Sequence, residues 1–139
     1  MSDRRKPIIA ITMGDPCGIG PEVVVKALAA KGTYGICSPL VIGNAWAMEQ
    51  AASLAEIPLL VKPVASPIGA LAQGTINVLD IGNLNPHEIV PGQLSPICGK
   101  ASMEWVSKAA DLALNGYVDA IATAPINKQS VSMSGSAAI

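Results

Sequence analysis

Phenylalanine is absent from these 139 residues, and aromatic side chains amount to only 3%. So few large rings argue against a β-sandwich, whose strands draw on aromatic and Thr-rich alternation. Histidine occurs once, and the three cysteines, Cys17, Cys37 and Cys98, are widely spaced with no Cys-x-x-Cys. Neither a disulfide framework nor a structural zinc site is indicated, and a reducing, cytoplasmic compartment fits best. Charge is scarce as well: 14% of residues are charged, nine basic against ten acidic, for a net −1. No basic stripe is available to neutralise phosphates, so nucleic acid is not an expected partner, and neither is an anionic membrane surface. No apolar run approaches the ~18 residues of a membrane helix. Arg4, Arg5 and Lys6 precede an apolar stretch, but Gly14-Asp15-Pro16 cuts it too short for a secretory signal.

What is present is small and apolar. Half of the residues are hydrophobic, mostly Ala, Val, Ile and Leu, with 13 Gly and 11 Pro in no repeat. This excludes intrinsic disorder, collagen and coiled coil, and the length is that of one ordinary domain. Small side chains let helices pack closely on a sheet, so the expected class is α/β, a mostly parallel sheet with flanking helices.

Ile8-Ile9-Ala10-Ile11-Thr12-Met13 is a continuous apolar run ended by a Gly-Pro cluster, as in a strand buried on both faces of a parallel sheet. A loop over 14–20 follows. Pro21 suits the first helical turn, Glu22 complements the helix dipole, and Val24, Ala27 and Leu28 give an apolar face before Gly32. The pattern recurs with a strand at Leu40-Val41-Ile42, an N-cap at Asn44 and a helix over 46–56. Strands are expected at 59–64 and 76–81, with loops over 66–74 and 82–96. A long helix starts near Gly99, carries Trp105, Ala109, Leu112 and Ala113 on one face, and ends at Gly116. Residues 118–124 read as another buried strand, leading into Pro125-Ile126-Asn127-Lys128. Residues 129–139 then read as an atypical tail, with a helix that starts and stops unfinished. The sheet of about five strands is thereby expected to lack a covered edge, and the chain to be cut short.

The segment most suggestive of chemistry is Met13-Gly14-Asp15-Pro16-Cys17-Gly18-Ile19-Gly20-Pro21-Glu22. Gly14, Gly18 and Gly20, between a buried strand and a helix, allow a ligand to approach the backbone at a helix N-terminus, or else simply permit a tight turn. It is not a dinucleotide fingerprint: read from Gly18, the third glycine position is Val23, Pro21 removes an amide, and no acid ends the second strand. Asp15 and Glu22 could bind a metal or orient a substrate, or could serve only as turn and helix caps. Cys17 reads as a small filler rather than a nucleophile, since no second histidine is available to activate it. His87, in a Pro- and Asn-rich loop, reads as a surface histidine. Asn127 and Lys128 follow a strand, where the lysine could meet an anionic substrate or stand solvated beside an N-cap. Trp46 and Trp105 both fall on apolar helix faces and are expected in the core.

Three blocks taken together carry a family resemblance: Ile11-Thr12-Met13-Gly14-Asp15-Pro16-Cys17-Gly18-Ile19-Gly20-Pro21-Glu22, the stretch from Gly92-Gln93 to Gly99-Lys100-Ala101, and Ala122-Thr123-Ala124-Pro125-Ile126-Asn127-Lys128. In that order and spacing, over 8–131, the sequence resembles the PdxA family of 4-hydroxythreonine-4-phosphate dehydrogenases and their relatives. The blocks do not separate enzymes of phosphorylated four-carbon acids from those of aromatic dihydrodiol carboxylates.

The resemblance implies an isocitrate/isopropylmalate dehydrogenase-like fold and a homodimer. It also implies an NAD-dependent oxidative decarboxylase acting on a small phosphorylated substrate, in pyridoxal phosphate biosynthesis. A divalent metal held by three histidines from both subunits would stabilise the enolate formed as CO2 leaves. The positions expected to face substrate are Gly14, Asp15, Gly18, Gly20, Glu22, Asn127 and Lys128. Family members are much longer chains, and their metal-binding histidines and most cofactor contacts fall beyond the matching blocks, so neither NAD nor metal is assigned to residues here. A Gly-His-Thr-Glu stretch expected after Lys128 is replaced by Ser134-Gly135-Ser136-Ala137-Ala138-Ile139. Cys17 stands where relatives usually have a small residue such as Ala. The expectation is thus the N-terminal portion of such a dehydrogenase, inactive by itself. The alternative is a non-catalytic α/β binding or interaction module derived from the same family.

Overall fold

The computed structural model describes residues 5–67 and 71–135. Five strands form one sheet: β1 (Ile8–Thr12), β2 (Ser38–Ile42), β3 (Val61–Val64), β4 (Ile76–Leu79) and β5 (Ala120–Thr123). Their order is β3-β4-β2-β1-β5, and every pairing is parallel. The helices are α1 (Gly20–Ala29), α2 (Thr33–Ile36), α3 (Ala45–Leu54), α4 (Pro96–Leu114) and α5 (Lys128–Met133), with a 3-10 turn at Pro86–Glu88. This is the α/β architecture that the composition predicts.

Strand β1 is central because its apolar residues find a partner on each side. Ala10 pairs with Leu40 of β2 and with Ile121 of β5. Helix α1 carries the chain from β1 toward β2, whereas α4 carries it from β4 back past β2 and β1 to β5. Right-handed crossovers running in opposite directions lie on opposite faces of a sheet. Accordingly α1 packs on α3, while α4 lies against β1, β2 and β5 and holds α5. The strands β1 and β5 therefore flank the point where the winding reverses.

The core follows from these layers. Leu40, Val41, Ile42, Ile76 and Val78 are fully enclosed in the sheet, Val25 and Met48 pack over it from α1 and α3, and Trp105 is enclosed beneath α4. The one polar atom of the Trp105 ring is not left unpaired: its Nε1 donates to Asn83 Oδ1 at 3.0 Å. Ser95 caps α4 by accepting from the Cys98 N–H at 3.1 Å, and Gly116, at φ +79°, takes the left-handed position after its end. No helix of the described residues is long and apolar enough to cross a membrane.

Two expectations are corrected, and one element not anticipated appears. Residues 118–124 do not form a buried strand: Val118 and Ala124 are buried, but all four residues of β5 between them are exposed. An apolar run shows that a strand can be buried, not how many neighbours it has, and among the described residues β5 pairs only with β1. Trp46 is not a core residue; it sits 40% exposed in the first turn of α3. The short helix α2 lies where no periodic pattern marks it, because one turn is too short to show a period. Residues 129–135 of the tail include most of α5, while Arg4, residues 68–70 of the 66–74 loop and residues 136–139 of the tail lie outside the described residues.

Candidate functional site

In a parallel sheet the carboxyl ends of the strands beside the winding reversal open a crevice for ligands. Here those ends belong to β1 and β5, and the sequence leaves each through one of the segments singled out above. From β1 the chain enters the glycine loop, and from β5 it enters 124–128. The two are bonded to each other: the Ala124 N–H donates to Thr12 O at 3.1 Å and the Asp15 N–H donates to Pro125 O at 2.9 Å. Gly14 is the point of closest approach, with φ +76° and a backbone position where any Cβ would overlap the Pro125 carbonyl oxygen. Gly20 likewise has no room for a Cβ, which would overlap the Met13 carbonyl oxygen.

Asp15 shapes this loop. Its Oδ1 accepts from the Cys17 N–H at 2.9 Å and its backbone carbonyl accepts from Gly18 at 3.1 Å, an Asx-type turn. A Cβ on Gly18 would come within 2.8 Å of Asp15 Oδ2, so the glycine leaves room for the carboxylate. Burial raises the Asp15 pKa above the ordinary carboxylate range, opposed by the Cys17 N–H bond, which favours the charged form. The loop is further tied to residues 90–93, since the Gly92 N–H donates to Cys17 O at 2.7 Å.

Glu22 points elsewhere. It is exposed, pairs with Lys26 at 3.5 Å one turn along α1, and lines a groove of about 230 Å³ with Cys17, Pro21, Trp46, Gln50 and Pro91. At the second junction Asn127 caps α5, its Oδ1 accepting from the Ser130 N–H at 3.0 Å. Lys128 is exposed and has no ion-pair partner among the described residues. Of the seven candidate positions, the fold thus joins Gly14, Asp15, Gly18 and Gly20 in one loop, bonds that loop to Pro125 just before Asn127 and Lys128, and turns Glu22 to the α1–α3 groove.

Sequence reasoning passed over three features. Thr12, at the end of β1, is fully enclosed with a hydroxyl that has no partner among the described residues. Asp80, at the end of β4, accepts from the Ala45 N–H at 3.0 Å and from the Gly82 N–H at 2.9 Å, bracing the start of α3. Cys98 meets Cys17 across 81 residues of sequence. No local pattern announces any of these, because each depends on which strands become neighbours.

A metal centre of three imidazoles does not fit the residues present. The sequence has one histidine, His87, exposed in the 3-10 turn. Among the described residues no three His, Cys, Asp or Glu side chains gather into a ligand set. A dinucleotide fingerprint does not fit the glycine loop either: Val23 occupies the third glycine position, and β2 ends at Ile42 with Gly43 and Asn44 after it.

Fold and loop together define a parallel α/β protein whose glycine loop, leaving β1, is bonded to the junction that follows β5. The chain belongs to the PdxA family: the family described as pyridoxal phosphate biosynthetic protein PdxA matches residues 35–139. A Clostridium botulinum protein provisionally named a D-threonate 4-phosphate dehydrogenase is 40% identical over 128 residues, 91% of this chain and 38% of that protein. A 4-hydroxythreonine-4-phosphate dehydrogenase of Desulforapulum autotrophicum is 39% identical over 137 residues, 98% of this chain and 40% of its own length. The crystal structure of a Burkholderia phymatum 4-hydroxythreonine-4-phosphate dehydrogenase superposes with a TM-score of 0.89 at 40% identity, covering 96% of this chain and 40% of that one. The chain therefore spans about two fifths of the length of these relatives.

Proposed function

We propose that these residues are the N-terminal portion of a 4-hydroxythreonine-4-phosphate dehydrogenase-like enzyme. The reaction is the NAD-dependent oxidative decarboxylation of a phosphorylated four-carbon hydroxy acid, a step of pyridoxal phosphate synthesis. The observation that carries this reading is the bonding of the glycine loop to the 124–128 junction at the winding reversal, in a chain of the PdxA family. There Gly14 and Gly20 let the loop close onto the Pro125 and Met13 carbonyls and Gly18 leaves room for the Asp15 carboxylate, so the exposed backbone at Gly18 is the part a ligand meets. Asp15 holds the turn through the Cys17 N–H, Asn127 sets the first turn of α5, and Lys128 supplies the exposed cation for an anionic substrate group. Glu22, turned to the α1–α3 groove and paired with Lys26, is outside that arrangement.

The divalent metal and NAD are held by residues other than these. The enzyme works as a homodimer in the cytoplasm, where free thiols such as Cys17, Cys37 and Cys98 persist. The open face and edge of β5 fit the reading as part of a longer enzyme, since an exposed strand of this kind is normally covered by further structure.

The test is a chimera in which residues 8–131 replace the matching segment of the Burkholderia phymatum enzyme. With a divalent metal, NAD and 4-hydroxythreonine 4-phosphate, the chimera is expected to reduce NAD, while the 139-residue chain alone does not. Lys128→Ala in the chimera raises KM about 10-fold or more and leaves kcat nearly unchanged, the loss expected when one charge-assisted contact is removed. A folded but inactive chimera would overturn the reading in favour of a non-catalytic module.

A further inference from the structure

The glycine loop and the start of α4 bring two cysteines face to face. Cys17 Sγ lies 3.1 Å from Cys98 Sγ, and the Cys98 thiol in turn faces Glu88 O at 3.4 Å. Both backbones are held from either side. The Cys17 N–H donates to Asp15 Oδ1 and its carbonyl accepts from Gly92, while the Cys98 N–H is taken by Ser95 in the cap of α4. A disulfide requires sulfurs about 2.05 Å apart, so this pair closes with an approach of about 1 Å.

We propose that Cys17 and Cys98 are a reversible thiol modification site that closes to an intramolecular disulfide by exchange with a small organic disulfide. Both cysteines are buried, but only Cys17 lines the groove between α1 and α3, so it is the entry point. The Cys17 thiolate attacks one sulfur of the reagent, forming a mixed disulfide and releasing the first thiol. The Cys98 thiolate then attacks the Cys17 sulfur, forming the internal bond and releasing the second thiol. Two protein thiols are oxidised, one reagent disulfide is reduced to two thiols, and the two protein protons leave on those products. Burial raises the Cys98 pKa above the ordinary thiol value and keeps it from reacting first, so what favours the second step is the 3.1 Å placement of its sulfur against that of Cys17. Closure ties the turn of Asp15 to the start of α4 and so fixes the crevice loop; it does not depend on the dehydrogenase reading.

The chain is incubated with bis(2-hydroxyethyl) disulfide, quenched with N-ethylmaleimide, and read by intact mass and peptide mapping. The expected product carries a peptide joining Cys17 to Cys98 and a single N-ethylmaleimide on Cys37, its mass is otherwise two hydrogens lower, and the bond reopens on adding dithiothreitol. Cys37→Ser leaves the yield unchanged, and Cys98→Ser traps the reagent as a stable adduct on Cys17. A wild-type chain that accumulates the mixed adduct without closing, reacts only at Cys37, or does not react at all would overturn the proposal. The wild-type map decides the matter even where a variant fails to fold.

Discussion

The two junctions that flank the crevice are built in opposite ways. Leaving β1, the chain stays buried from Thr12 to Cys17 and is bonded to β2, to the 124–128 junction and to residues 90–93. Leaving β5, it comes off a strand exposed at every position, is bonded to Thr12 and Asp15, and enters α5, which Asn127 caps and which docks on α4 through the buried Ser130 and Val131. A strand between two partners passes its rigidity to the loop that follows it, whereas an edge strand leaves its loop to local capping. Here the first junction is set by the strands and loops around β1, and the second by a short capped helix docked on α4. The candidate residues divide the same way: Asp15 is enclosed and committed to its loop, while Lys128 is exposed.

Substitutions should grade along that contrast. Gly14→Ala meets both the left-handed backbone and the Pro125 carbonyl, and is expected to cost about 3 kcal/mol of unfolding free energy in urea. A cost below ~1 kcal/mol would show that the first junction is not rigid. The two cap asparagines give a direct comparison. Asn44, buried and also donating to Leu84 O at 3.1 Å, should cost about 2 kcal/mol on change to Ala, and Asn127 about 1 kcal/mol. Equal losses in the two denaturation curves would erase the distinction. Thr12→Val removes a buried hydroxyl with no partner among the described residues, at nearly constant shape, and should raise stability by up to about 1 kcal/mol.

The smallest effects are in pH dependence and oppose each other at the two ends of the β1–β5 pair. Asp15 has its pKa raised by burial, so its folded form favours the proton. Its contribution is complete below the ordinary carboxyl value of 3.8 and is lost as pH rises through the folded value. Asp119 is lowered first by the Ile8 N–H, which it accepts at 2.8 Å, and further by Arg5. Its contribution is present above 3.8 and disappears on acidification through its folded value. Thermal melts across this range should show Asp15→Asn flattening the decline above pH 3.8, and Asp119→Asn flattening the acid side. Identical profiles for both variants would contradict the assignment.

Much of the fold can be read from local pattern. The apolar runs at β1, β2 and β4, the helix around Trp105, and the caps at Asn44 and Asn127 all follow from residues a few positions apart. What escaped depends on neighbours distant in sequence. The exposure of β5 follows from its place at the edge, and Trp46 is drawn to the groove by α1 and residues 89–91. The contact of Cys17 with Cys98 follows from α4 starting beside the glycine loop. The positions of the candidate residues were legible as strand-end junctions; that the two junctions bond to one another was not.

The central claim is that these residues join the glycine loop to the 124–128 junction but hold no ligand set for a catalytic cation among the described residues. Titration of the reduced chain with Mn²⁺, followed by electron paramagnetic resonance, tests it directly. The account predicts that the ion's free signal persists through one equivalent, with no saturable site. Stoichiometric loss of that signal, assigned to side chains of this sequence, would contradict it.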